Sequence, residues 1–142
     1  ATLQQVVALA VLMPVVASMG GIAGSQTLTL IVRGLALGQI TSANLKALMT
    51  KELKVGGVNG VIWAVVIGIV AFMWFSDPLL GLVICLAIFV NILAAALAGV
   101  VLPVILEKLK IDPALSGSVI LTTVTDIVGF VAFLGLGSLF LL

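Results

Sequence analysis

The sequence predicts an all-α fold, a polytopic membrane domain of four transmembrane helices with a short amphipathic connecting helix, and three observations carry that prediction. Hydrophobic residues make up 63% of the chain and charged residues 8%, against roughly 45–50% and 25% in a soluble domain. The few charges gather at short intervals and leave long apolar runs between them. A length of 142 residues gives room for four or five crossings at about 20–25 residues each and for no additional soluble domain of ordinary size.

A charge held at mid-bilayer costs at least about 2.5–3.5 kcal/mol on insertion scales, so the runs between charges are the expected spans. The first, about 4–35, carries Pro14, Gly20, Gly21 and Gly24 among helix formers, which predicts a kinked or locally unwound helix. Over 38–54, Gln39, Thr41, Ser42, Asn44, Lys46, Lys51, Glu52 and Lys54 alternate with Ile40, Leu45, Leu48 and Leu53. This pattern predicts the amphipathic connection, with Thr41 or Ser42 as its cap. The second span, about 56–75, closes on Trp74 and the turn Ser76-Asp77-Pro78, as an interfacial aromatic and an Asp-Pro turn do at a membrane boundary. The third runs over about 79–106, with a bend expected at Pro103. Glu107, Lys108, Lys110 and Asp112 form a polar turn, and Pro113 suits the first turn of a fourth span over 113–142.

Arg33, Lys46, Lys51 and Lys54 mark the first connection, Asp77 alone the second, and Lys108 with Lys110 the third. The positive-inside rule then makes the first and third connections cytoplasmic and puts both termini, including the C-terminus, outside. Arg33 is expected to snorkel to the cytoplasmic headgroups. A chain beginning with Ala1 on the outer side suggests an earlier crossing, and its apolar start lacks the charged region of a signal peptide. The expected location is the cell's inner (plasma) membrane, as a multi-pass protein.

A formal net charge of +1 offers no basic surface to a polyanion, and no nucleic-acid partner is expected. With no histidine, the usual zinc, copper and iron ligand sets and any Ser–His pair are missing, so the chain is not expected to be an enzyme. The lone Cys85 reads as a small core hydrophobe. Gly135-Leu-Gly137-Ser138 has the composition of a phosphate loop or serine elbow but no strand, lysine or base to support either.

Asp126 lies near the centre of the last span and is too short to snorkel. At helical spacing Ser118, Thr122, Asp126 and Gly129 fall on one face, with Thr125 beside them. An intramembrane carboxylate typically faces a bundle interior or a water-filled cavity and marks an ion or proton path; the other reading is a protonated interhelical hydrogen-bond partner. In the first span, Ser18, Gly20, Gly21, Gly24, Ser25, Gln26, Thr27 and Thr29 combine small residues with side-chain oxygens. These suit either dense helix packing or an interrupted helix whose freed carbonyls line an aqueous path. Asn91 is expected to hydrogen-bond across helices. Asp112 either caps the last helix or draws cations to a pore mouth.

Oxygen donors without sulfur or imidazole suit hard ions, and magnesium, which dehydrates reluctantly, can be held through its waters. Sodium, calcium, manganese and protons stay open on this argument. One carboxylate neutralises a divalent ion thinly, and a symmetric homodimer would bring two copies of Asp126 around one axis. The alternatives are a proton-coupled carrier with Asp126 as its protonation site, and a structural membrane subunit. An intramembrane protease lacks a second aspartate on a neighbouring span.

Met13-Pro14-Val15-Val16-Ala17-Ser18-Met19-Gly20-Gly21, Ala23-Gly24-Ser25-Gln26-Thr27 and Arg33-Gly34-Leu35-Ala36 resemble the second transmembrane helix of MgtE magnesium channels. Asp112-Pro113-Ala114, and Thr122-Thr123-Val124-Thr125-Asp126 with Gly129, resemble that family's fifth helix, so the resemblance runs from its second helix through its fifth. It implies a single ion-conducting domain over 1–142 in a homodimer, with the pore lined by 4–35 and 113–142 at the dimer interface. It also implies hydrated Mg2+ at Asp126, with Mn2+ or Ca2+ as other candidate ions. The metal-site residues it implies are Asp126, Thr122 through its backbone carbonyl, Ser118 a turn toward the cytoplasm, and Asp112 near the cytoplasmic mouth. Ile22 stands where the family usually has asparagine, removing a polar group. The family's first helix, its cytosolic N-terminal helical domain and its paired CBS domains have no counterpart in this sequence, which leaves the lipid bilayer and a second copy as the expected partners.

Overall fold

A computed structural model describes residues 2–40 and 44–140, with side-chain surroundings for 7–40, 44–112 and 116–140. Four helices follow in order, α1 (Thr2–Ala36), α2 (Leu45–Phe75), α3 (Pro78–Lys108) and α4 (Pro113–Phe140), with no strand among the described residues. All four are long and apolar enough to cross a membrane. The amphipathic segment expected over 38–54 is helical from Leu45 onward and continues without a break into the second span. The caps expected at Thr41 or Ser42 lie outside the described residues. Asn44 closes the connection instead, its Nδ2 donating to the Gln39 carbonyl at 2.8 Å.

The turn between α2 and α3 is built as its sequence suggests. Ser76 ends α2 in the left-handed region at φ 53°. Asp77 then caps α3, its Oδ1 accepting from the Leu79 and Leu80 amides at 3.1 and 3.3 Å, and Pro78 takes the first helical position, where a missing N–H costs nothing.

Local unwinding of α1 is absent: Pro14 sits inside α1 and Pro103 inside α3, and each element is one continuous α-helix. The glycines of α1 make room for neighbours. A Cβ on Gly24 would come within 2.9 Å of Leu121 on α4, and one on Gly20 would strike the Asn91 side chain on α3.

Helix α3 is the centre of the bundle and packs against all three others, whereas α1 and α2 barely touch. Its buried residues run on every side, from Leu80, Val83 and Ile84 through Ala87, Ile88 and Asn91 to Ala95, Val100 and Leu106. In α2 the buried set is Glu52, Gly56, Gly60, Ala64, Gly68 and Ala71, a single stripe at three- and four-residue spacing that rests on α3. Backbones meet closely there. A Cβ on Gly81 would lie 2.8 Å from the Gly68 carbonyl oxygen and 3.1 Å from the Phe72 Cβ. Cys85 packs half-buried beside the same crossing, as a core residue. The first and third connections lie at the same end of the bundle, where Val32, Leu35 and Ala36 of α1 line one depression with Glu107, Lys110 and Asp112.

Because the atom facing Gly81 is backbone, Gly81→Ala should lower stability by about 1–3 kcal/mol, the usual cost of overpacking. Gly135→Ala, with nothing within 4 Å of the added carbon, should leave it unchanged. Thermal unfolding of the two detergent-solubilised variants beside wild type checks both outcomes.

Candidate functional site

An open groove of about 830 Å³ runs along the outer side of the α1–α4 pair. One wall is a strip of α1 that runs from Ala10 through Met13, Ser18, Ile22 and Ser25 to Thr29, and the other is Thr122, Asp126 and Phe130 of α4 at four-residue spacing. Asp126 is half-buried in this wall and is the only acidic residue lining the groove among those described.

Around that carboxylate the hydroxyls are already oriented. Thr122 Oγ1 donates to the Ser118 carbonyl at 2.8 Å, and Thr29 Oγ1 donates to the Ser25 carbonyl at 2.8 Å. A hydroxyl whose proton is committed in this way offers only lone pairs to its other neighbours. The groove therefore presents one carboxyl group together with the acceptor oxygens of these hydroxyls and the amide of Gln26.

The four residues singled out from sequence separate. Thr122 and Asp126 line the groove together. Ser118 is exposed one turn before Thr122 and meets it through its carbonyl. Asp112 lies beyond the start of α4, in the depression at the connection end with Glu107 and Lys110. The Thr122 carbonyl accepts from Thr125 Oγ1 at 3.1 Å. Gly129, assigned to the polar face from its spacing, belongs to the packed side instead. A Cβ there would lie 2.9 Å from Asn91 Nδ2 and 3.5 Å from Val16. Thr125 is fully buried beside it.

Asn91 makes the cross-helix bond expected of it, Nδ2 donating to the Val16 carbonyl at 2.9 Å. Its Oδ1 is buried with no partner among the described residues.

Sequence reading singled out Ile22, which does line the groove, but it did not single out Met13 or Phe130, and it missed the burial of Glu52. Glu52 reads as one more charge in a connection, yet it is 8% exposed. The signal was present: Glu52 stands four residues before Gly56 and continues the small-residue stripe of α2.

The family model for MgtE, described as a divalent cation transporter, matches residues 13–136. The chain belongs to the MgtE family. Three curated relatives, each named Magnesium transporter MgtE, agree with that placement. The protein of Bacillus subtilis is 34% identical over 139 residues, covering 98% of this chain and 31% of the relative. That of Enterococcus faecalis is 32% identical over 133 residues, 94% of this chain and 29% of the relative. That of Thermus thermophilus is 32% identical over 139 residues, 98% and 31%. The chain thus spans less than a third of the length of these relatives. The MgtE match takes in α1 from Met13 and α4 as far as Leu136, and so includes the groove from Met13 onward with all four residues named above.

Water in the groove of this MgtE chain should be detectable chemically. With Cys85 replaced by alanine, cysteines placed at Ser18 and Ile22 should react with a membrane-impermeant thiol reagent much faster than one at Val119. Val119 is as exposed as Ile22 (68% against 61%) but lies outside the groove, where lipid would cover it. Equal rates would mean that the groove is dry.

Proposed function

We propose that this chain is the ion-conducting part of a magnesium transporter, moving Mg2+ through a pore at a homodimer interface with Asp126 as the central ion-binding carboxylate. The observation that carries the reading is the position of Asp126, the one acid in a groove walled by α1 and α4 and open along its length. An ion path between helices has to be closed on all sides against lipid. A second copy set against the groove by a two-fold axis would close it with the same surface and bring a second carboxylate to the first. The relatives' printed function supports magnesium as the cargo.

The chemistry supports it too. Mg2+ prefers six oxygen ligands at about 2.0–2.1 Å and gives up its waters reluctantly. Six waters at roughly 30 Å³ each occupy about a quarter of the groove, so the ion can pass with its inner shell intact. The two Asp126 carboxylates balance its charge through that shell, and the hydroxyls of Thr122 and Thr29 accept hydrogen bonds from its waters. Ser118 continues the path from Thr122 toward the connection end, where Asp112 is the acidic position at the mouth, in a depression it shares with Glu107 and Lys110. That end is cytoplasmic by its lysines, in an inner-membrane orientation with the C-terminus outside. Mn2+ and Ca2+ share the preference for oxygen and compete for the site. Ile22 places an apolar side chain in the groove, which reduces the acceptors available to the hydrated ion.

The test is Mg2+ flux into proteoliposomes at fixed membrane potential with external pH recorded. Asp126→Asn keeps the shape of the side chain and removes its charge, and flux should fall about tenfold or more, equivalent to about 1.4 kcal/mol or more of ion stabilisation. Unchanged flux in the variant would make Asp126 a structural residue, and stoichiometric proton movement with wild-type flux would identify a proton-coupled carrier instead. Ile22→Asn, which restores an acceptor to the groove, should raise flux in the same assay.

A further inference from the structure

On the other side of α1 from the groove lies a second polar cavity, and it contains the one buried carboxylate that the proposed transport path does not use. Glu52 is 8% exposed and has neither a hydrogen bond nor an ion pair among the described residues. It faces a cavity of about 110 Å³ between α1, α2 and α3, whose other polar lining is Gln26, Thr27 and Asn59. Ile92 and Ala96 of α3 form its floor. Glu52 also lines a wider depression of about 410 Å³ at the first connection, so the cavity has a route to the membrane surface.

A carboxylate set this deep and bonded to no group of the chain among the described residues is stabilised by a positive partner, because a charge withdrawn from bulk water is tolerated best when it is paired. The adjoining lysines do not supply one inside the cavity. Lys51 lines the wider depression beside Glu52, but Lys51 and Lys54 are exposed, and neither lines the inner cavity. The neutral groups that do line it are oxygen donors. Thr27 Oγ1 leans toward the Ala23 carbonyl at 3.4 Å, which leaves its lone pairs for another partner, and the amides of Gln26 and Asn59 each supply a carbonyl oxygen. One carboxylate with neutral oxygens matches a single positive charge on a hard ion. The volume fits as well, since an ion with two or three waters at roughly 30 Å³ apiece fills it. Three helices of one chain wall the cavity, so the charge balance is complete without a second copy.

We propose that Glu52, with Gln26, Thr27 and Asn59, holds a monovalent cation of the sodium class between α1, α2 and α3. The occupant ties α2 to α1, two helices that otherwise barely touch. It also reaches the transport groove through one residue, because Gln26 lines both cavities. The site is separate from Asp126 and stands or falls without it.

The experiment is thermal unfolding of the purified protein in detergent with divalent ions chelated, in sodium chloride, potassium chloride or choline chloride at equal ionic strength. A ligand that binds only the folded state raises the midpoint with the logarithm of its concentration. Sodium or potassium should therefore raise Tm by several degrees over choline, in wild type and equally in Asp126→Asn, and Glu52→Gln should abolish the rise. Identical midpoints in all three salts for wild type would overturn the proposal, as would a rise that survives Glu52→Gln. A midpoint that moves with pH but not with sodium would assign a proton to Glu52 and overturn it too. If Glu52→Gln does not fold, the double variant Thr27→Val, Asn59→Leu takes its place, and there an undiminished sodium response counts against the site. Restoring Mg2+ and finding that it alone produces the shift would likewise rule out a monovalent occupant.

Discussion

The bundle is organised around one buried amide. Asn91 stands in the middle of α3, fully enclosed, at the place where α1, α3 and α4 meet. It donates to the Val16 carbonyl, and it fits only because Gly20 on one neighbour and Gly129 on the other carry no side chain. The bond gains little by itself. Cross-helix hydrogen bonds in membranes average about 0.6 kcal/mol, and the unpaired Oδ1 costs on the order of 1–3 kcal/mol. An apolar residue of similar volume would therefore serve stability as well or better, and what the amide contributes is position. It fixes the α1 backbone at Val16, between the groove residues Met13 and Ser18. It also fixes α4 at Gly129, three residues beyond Asp126. The separation of the groove's two walls at the carboxylate is set from behind by this contact.

Lipid tails are as apolar as the helices, so burying leucine gives no preference for a helix neighbour over lipid, and association rests on close packing. The structure shows where that packing is achieved. Gly68 and Gly81 bring the backbones of α2 and α3 together, and Gly56 admits Ala96 at the next contact along. Gly99 of α3 fits against Thr27 and the Gly24 carbonyl of α1. A central helix that meets three partners needs small residues on several sides, and the alanines and glycines of α3 are spread around it accordingly.

The spans could be read from the sequence because charges are costly in a bilayer and mark the boundaries without reference to tertiary structure. The same holds for the Ser76-Asp77-Pro78 turn, a local device, and for Asp126, which is conspicuous wherever it points. What could not be read depended on neighbours. Pro14 and the glycines of α1 predict a kinked or locally unwound helix in isolation, but adjacent helices in a membrane support such residues without unwinding. Gly129 stands only about 60° round the helix from Asp126 at 3.6 residues per turn, close enough to share a face in projection, and Asn91 decides that it lies on the packed side. Glu52 reads as a solvated charge as long as the second span is started near Gly56. Once the helix begins at Leu45, the same residue falls on the stripe that meets α3.

The two carboxylates illustrate how enclosure changes what one negative charge can do. Asp126 lies in a wide, open groove lined by acceptors and apolar surface, where, on the proposed reading, an ion would keep its water and feel the charge across it. Binding of that kind is weak enough for release, which conduction requires. Glu52 lies in a cavity several times smaller, walled by three helices, where no complete hydration shell fits and side-chain oxygens have to replace part of it. An ion in the proposed site would exchange slowly and act as part of the structure. A channel needs the first kind of site on its path and is blocked by the second, and α1, packed between them, keeps the two apart while Gln26 touches both.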